Sequence, residues 1–346
     1  MSPRQPADPL PADFEPMEAR AVERLPEGEG WQFEPKWDGF RCLALRDGER
    51  VELRARSGKP LARYFPEMVA ALHALPLTRF VLDGELAVPD GDSLSFDALQ
   101  ARLHPAASRI RRLSVETPSR LVLFDCLSVE GAWVADAPLE ARRDRLELLF
   151  ARFGDAPLLR LTPMTRDRAE AESWLAHLGA ALDGVVAKRL DAPYQPGERA
   201  MLKVKNLRTA DCVVGGFRYG TKSRVVGSLL LGLYDAEGRL DHVGFTSAIP
   251  AAERSALTRR LEALVEPPGF TGDAPGGPSR WSNARSAEWQ PLRPELVAEV
   301  RYDHATGGRF RHGTTFLRWR PDKPPARCTK DQVQAEARPA GMMGAR

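Results

Sequence analysis

Apolar residues along this chain gather in short runs, several of them broken by a single charged side chain. Between residues 31 and 53, two alternating segments flank Asp47-Gly48, the pattern of strands joined by a hairpin turn. Residues 66–75 place Met68, Val69, Leu72 and Leu75 on one helical face. The run 79–88 predicts a buried strand, yet it carries Asp83 and Glu85. Burying carboxylates without partners is expensive, so these two either pair with cations or serve a site. A helix over 95–103, an arginine-bearing loop over 109–112 and a strand over 119–126 follow. Amphipathic helices rich in Ala, Leu, Arg and Glu are expected over 138–153 and 167–181. Strands over 183–189 and 200–205 again hold charges inside apolar runs.

Beyond Asn206 the texture changes to short glycine-rich strands over 212–217, 228–234, 241–245 and 296–302, which suggest a small barrel. A helix over 250–264 and a Gly/Pro-rich loop over 266–280 interrupt them. Residues 1–30, rich in proline and acidic residues, read as an extended lead-in that packs late or not at all. Residues 331–346 lack periodicity and read as a disordered tail. The expected organisation is therefore an α+β domain over 1–207, an all-β domain over 208–330, and the tail.

Composition adds little to this and excludes more. A chain of 346 residues, 43% hydrophobic and 28% charged, fits an ordinary globular protein of two domains. No apolar run approaches a membrane span, and Met1-Ser2-Pro3-Arg4 opens no secretory signal, so a cytoplasmic location and no membrane partner are expected. Cys42, Cys126, Cys212 and Cys328 lie far apart, which indicates neither a zinc cluster nor a disulfide framework. The net charge of +3 is unevenly spread: residues 1–207 hold 29 Lys+Arg against 32 Asp+Glu, and residues 208–330 hold 19 against 13. A basic excess in the second part suits a surface that meets phosphate backbones, though a solvated basic face would look the same.

The chemistry is concentrated in Glu34-Pro35-Lys36-Trp37-Asp38-Gly39-Phe40-Arg41. Alone, Lys-Trp-Asp-Gly also fits a solvated hairpin turn. Read as a nucleophile, Lys36 needs its amine desolvated or surrounded by positive charge, since a lysine with a pKa of roughly 10.4 is otherwise protonated. Lys188, Lys203 and Lys205, each inside its own apolar run, are the candidates for that help.

In order along the chain follow Arg54-Ala55-Arg56-Ser57-Gly58, Asp83-Gly84-Glu85, Phe124-Asp125, Asp183-Gly184-Val185-Val186-Ala187-Lys188, Lys203-Val204-Lys205 and Arg318-Trp319-Arg320-Pro321-Asp322-Lys323. This ordered set resembles the motifs of the covalent nucleotidyltransferases, the superfamily of ATP-dependent DNA ligases, RNA ligases and mRNA capping enzymes. In texture it is similar to the compact bacterial LigC-type ligases. The resemblance implies an adenylation domain (an ATP-grasp-like ligase fold with antiparallel sheets and flanking helices) followed by an OB-fold barrel. It implies that Lys36 attacks the α-phosphate of ATP, with Asp38 beside it and Lys203 and Lys205 on the phosphate. Glu85 and Asp183 are implied as contacts for Mg²⁺ or Mn²⁺, Asp183 standing where the family usually has glutamate. Phe124 would stack on the purine, although a core aromatic in a strand is the alternative. Glu34 would accept from the adenine N6 amine, which favours ATP over GTP. Arg41 and Arg56, with Arg54 as alternate for the second, would reach the nucleotide and the 5′-phosphate. Lys188, Arg318, Asp322 and Lys323 complete the implied nucleotide contacts.

The implied activity is sealing of 5′-phosphate/3′-hydroxyl nicks in double-stranded DNA, in repair, by a monomer of the bacterial nucleoid working beside other repair proteins. An RNA ligase or a capping-type enzyme would share Lys36, Lys203 and Lys205. An OB-containing nucleic-acid-binding protein without catalysis is the alternative outside enzymes.

Overall fold

The computed structural model describes residues 10–333, except 12, 92, 178–181, 222 and 277–287. The chain divides into two units, the second beginning at Leu207. No helix among the described residues is long and apolar enough to cross a membrane.

Two sheets frame the first unit. In the four-stranded sheet, Trp31–Lys36 lies beside Gly184–Arg189, which lies beside Met201–Lys205. These three are antiparallel, and Ala19–Ala21 adds a parallel edge strand along Met201–Lys205. The register sets Gly184 between Lys36 and Lys205, and Val186 between Glu34 and Lys203. Paired residues share a face and alternate residues return to it, so Glu34, Lys36, Lys188, Lys203 and Lys205 all lie on one face. Only glycine fits at 184, because its φ is +140° and an added Cβ would stand 2.0 Å from the Val204 carbonyl oxygen.

The second, six-stranded sheet has the main path Leu159–Leu161, Arg120–Val129, Arg79–Ala87, Phe40–Asp47, Arg50–Ala55, with Ala132–Trp133 pairing Arg120–Val129 off that path. The alternating apolar positions of these strands face the helices Pro66–His73 and Leu139–Arg152, and Leu53, Met68, Leu72, Leu82, Leu121, Leu146 and Leu149 are buried together there. Each such side chain contributes roughly 1.5–3 kcal/mol by leaving water. Arg142 on the second helix is also buried, and its guanidinium takes both oxygens of Asp125 at 2.8 and 2.9 Å. The buried carboxylate of the strand Arg120–Val129 is thus matched by a cation inside the core.

The second unit is built on a six-stranded antiparallel sheet, whose main path is Leu240–Thr246, Val226–Tyr234, Arg208–Tyr219, Val297–Tyr302, Thr315–Trp319. The expected barrel is not closed. Among the described residues its first and last strands meet through a single isolated bridge, Thr246 to Thr314. The helix Arg254–Glu262 covers one side, with Leu261 in the core.

Three further expectations are corrected. The lead-in does pack: Leu10, Met17 and Leu25 are buried, and Ala19–Ala21 joins a sheet. Its alternating apolar residues are too sparse to signal a strand, and the parallel partner lies far along the chain. Residues 109–112 belong to a helix, Ala107–Glu116, held by one buried residue, Ile110, and stopped ahead of Pro118. Arginine is a good helix former, so a polar run anchored once suffices. The first residues of the predicted tail lie in the short helix Lys330–Val333, where Gln332 receives the Asp211 amide at 2.9 Å. The remainder of that predicted tail lies outside the described residues, as do the last residues of the helix predicted over 167–181, which is seen as Arg168–His177.

Candidate active site

The first unit's two sheets enclose a cavity of about 870 Å³. One sheet contributes Glu34, Lys36, Lys188 and Lys203, the other Arg41, Glu85 and Phe124, and the loop after Arg50–Ala55 contributes Arg56 and Lys59. This volume suits a nucleotide-sized ligand, since ligand pockets commonly measure roughly 300–1,000 Å³. Lys36 ends its strand, and the next residue fixes it there: Trp37 is buried and donates its indole N–H to Thr162 Oγ1 at 2.9 Å. Gly39 then lets the chain cross the opposite sheet, for a Cβ there would lie 2.1 Å from the Leu86 carbonyl oxygen.

The electrostatics differ from a simple ring of cations. The Lys36 ammonium donates to Asp183, so an acid sits next to the amine. Lys188 is taken by Glu34: its Nζ lies 2.7 Å from Glu34 Oε2, with both side chains buried, and it donates to the Phe124 carbonyl at 3.3 Å. Gln32 donates to the other Glu34 oxygen at 2.7 Å. Lys188 is therefore a neutralised partner within the cavity wall. Lys203 does line the cavity, and burial, with Lys36 and Lys205 nearby, lowers its ammonium's pKa. Sequence could identify the four lysines but not which of them an acid already claims.

Glu85 faces Lys36 and Arg41. Removal from water pushes it up to about 7, those two cations oppose the shift, and Asp38 and Asp83 add to it. Arg41 lies over the Phe124 ring at 4.6 Å and Lys188 over the same ring at 4.7 Å. Phe124 is half-buried and lines the cavity, so it is not simply a core aromatic. Arg56 lines the cavity and lies 3.5 Å from Glu18. Arg54 turns away: it pairs with Glu52 at 2.7 Å and donates to the Leu10 and Pro11 carbonyls.

Arg318, Asp322 and Lys323 belong to the second unit. There Arg318 pairs with Glu299 at 2.6 Å, Asp322 with Arg320 at 2.8 Å, and Lys323 with Asp211 at 3.0 Å. Among the described residues no group of three or more His, Cys, Asp or Glu forms a ready-made metal cage. Asp183 pairs with Lys36, and Glu85 interacts electrostatically with the same ammonium. Sequence reasoning missed Glu18 and Tyr194. Glu18 lines the cavity from the lead-in, and Tyr194 lies behind it with its hydroxyl on Asp83. Neither lies in the ordered motifs that marked the others.

A family model described as "ATP dependent DNA ligase domain" matches residues 16–205, and one described as "ATP dependent DNA ligase C terminal region" matches 222–323. The chain is 46% identical to DNA ligase C2 of Mycolicibacterium smegmatis, over 92% of this chain and 94% of that protein. It is 42% identical to DNA ligase C of Mycobacterium tuberculosis, over 94% and 95% respectively. A multifunctional non-homologous end joining protein LigD of Pseudomonas aeruginosa is 33% identical over 98% of this chain and 39% of its own length. Among solved structures, a Lig E DNA ligase shares the fold at a TM-score of 0.53 and 17% identity, over 88% of this chain and 99% of that one.

Proposed function

Because the chain belongs to the ATP-dependent DNA ligase family, we propose that it seals nicks in double-stranded DNA through a lysyl-AMP intermediate on Lys36. The observation that carries this reading is the convergence of Lys36, Lys203, Glu34 and Phe124 on one nucleotide-sized cavity. Lys36 Nζ attacks the α-phosphate of ATP, forming a P–N bond as the bond to pyrophosphate breaks. AMP then passes to the 5′-phosphate of the nick, and attack by the 3′-hydroxyl releases AMP.

Each residue's part follows from its surroundings. Asp183 holds the Lys36 ammonium in place and is the base positioned to take its proton. Lys203 places positive charge where the phosphorane-like charge develops, and Lys205 supports it from the next position on that face. Phe124 offers a purine a stacking surface backed by two cations. Glu34, held by Lys188, accepts from the adenine N6 amine and disfavours guanine, which presents an acceptor there. Asp183 and Glu85 would hold Mg²⁺ or Mn²⁺ together with the ATP phosphates: both are oxygen donors, and Mg²⁺ is commonly bound by one or two carboxylates plus substrate phosphates. When bound, the ion neutralises charge on the triphosphate.

The end-joining name of one relative supports a repair role, and the bacterial source of all three supports action in a bacterial cytoplasm; work at the nucleoid, as a monomer that other repair proteins bring to breaks, is part of the same proposal. Intact mass tests the cycle. Incubation with ATP and Mg²⁺ adds the mass of one AMP, nicked DNA duplex removes it, and Lys36→Ala gains nothing. Loading from GTP alone, or discharge by nicked RNA alone, would overturn the assignment in favour of a capping-type enzyme or an RNA ligase.

A further inference from the structure

Behind the cavity, four residues distant in sequence close a ring of hydrogen bonds. Arg41 donates from Nε and Nη2 to the two oxygens of Asp83, each at 2.6 Å. The Tyr194 hydroxyl donates to Asp83 Oδ2 at 2.6 Å and accepts from the Met17 amide at 3.0 Å. The Met17 carbonyl in turn accepts from Arg41 Nη2 at 3.1 Å. Asp83, Tyr194 and Met17 are all buried. A buried carboxylate left underpaired is costly, and bonds in such a closed network reinforce one another, so the ring behaves as a unit.

Tyr194 is itself fixed from several sides. Its amide donates to the Ala135 carbonyl at 2.9 Å, its ring stacks on Phe14 at 6.4 Å, and the Arg142 guanidinium lies 5.8 Å above it. Asp83 thus receives a hydroxyl whose direction the core decides, and Arg41 is held over Phe124 by a carboxylate that cannot swing. A guanidinium paired to a carboxylate alone could pivot about that pair, whereas a second anchor at the Met17 carbonyl removes the pivot.

We propose that Tyr194 is a positioning residue for the nucleotide step: acting through Asp83, and with Met17 of the lead-in, it locks Arg41 beside the purine-stacking Phe124. This rests on the nucleotide reading of the cavity given above. The lead-in is by the same token a structural part of the site.

The test is a double-mutant cycle on self-adenylation. Tyr194→Phe keeps the ring and removes only the hydroxyl; Arg41→Lys keeps a charge on Asp83 but loses the fork. Tyr194→Phe in the otherwise native chain lowers kcat/KM about tenfold, mainly through KM for ATP, the size expected for one hydrogen bond to a charged group. In the Arg41→Lys background the same change costs less than about twofold, because interacting residues are not additive. Equal losses in both backgrounds, or native kinetics for Tyr194→Phe, overturn the proposal. A second measurement needs no activity: ¹⁵N NMR of the Arg41 Nε–H signal, assigned with Arg41→Lys. Its exchange with solvent becomes at least about tenfold faster in Tyr194→Phe if the hydroxyl holds the ring together, and unchanged exchange refutes it. A native protein that takes up no AMP would refute the nucleotide reading, while the exchange rates still decide the role of Tyr194.

Discussion

Lys188→Met isolates the buried pair in the cavity wall. The native ammonium lies 2.7 Å from Glu34 Oε2, with side-chain exposures of 4% and 3%. Removing one partner of a buried pair costs about 3–5 kcal/mol, because the other charge is left behind without compensation. Gln32 still donates to Glu34 at 2.7 Å, which places the expected loss at the lower end, about 3 kcal/mol. For a unit of this size, each kcal/mol moves the melting temperature by roughly 2–4 °C, so the first unit should melt about 6–12 °C lower. Thermal melting, with hydrogen exchange of peptides covering 31–36 and 184–189 to assign the transition, measures it. Glu34→Gln together with Lys188→Met should recover all but about 1–2 kcal/mol, since neutralising both partners leaves no orphan charge. A single variant that melts like the native chain, or a double variant no better than the single, would refute the view that Glu34 and Lys188 depend on one another.

Three more outcomes follow from other contacts. Gly184→Ala would force a Cβ to within 2.0 Å of the Val204 carbonyl at a φ that alanine resists, so the strand bearing Lys36 loses its partner; both adenylation and the melting temperature should fall, and an alanine variant that adenylates normally would contradict this. Phe124→Ala removes the surface shared by Arg41 and Lys188, and KM for ATP should rise about five- to tenfold, a stacking contribution of about 1 kcal/mol or slightly more; an unchanged KM would assign the ring to packing. In the second unit, burial, with Arg309 and Arg218 nearby, lowers His242 to about 3 from 6.5. Since the unfolded chain binds that proton more readily, stability is complete above about pH 6.5 and is lost as pH falls toward 3; His242→Phe should flatten this acid loss in a pH series of melts, and an unchanged slope would show that other groups cause it.

Much of this molecule could be read from the order of its residues. Glu85, Asp183, Lys188 and Lys203 each stood out because a charge inside an apolar strand is costly and therefore meaningful, and Lys36 because Lys-Trp-Asp-Gly heads an ordered set of motifs; both signals need only the order of residues. The helices Pro66–His73 and Leu139–Arg152 were visible too, since periodicity is local. Partnership was not. That Asp183 would hold Lys36, that Glu34 would claim Lys188, and that Tyr194 would meet Asp83 and Met17 depend on strand register and on a parallel edge strand joining distant segments. Side-chain type and spacing along one strand say which groups carry charge. Which cation an acid neutralises is decided only when separate strands align within hydrogen-bonding distance, because the energy of an ion pair depends on separation in space and on exclusion of water, and a linear sequence specifies neither.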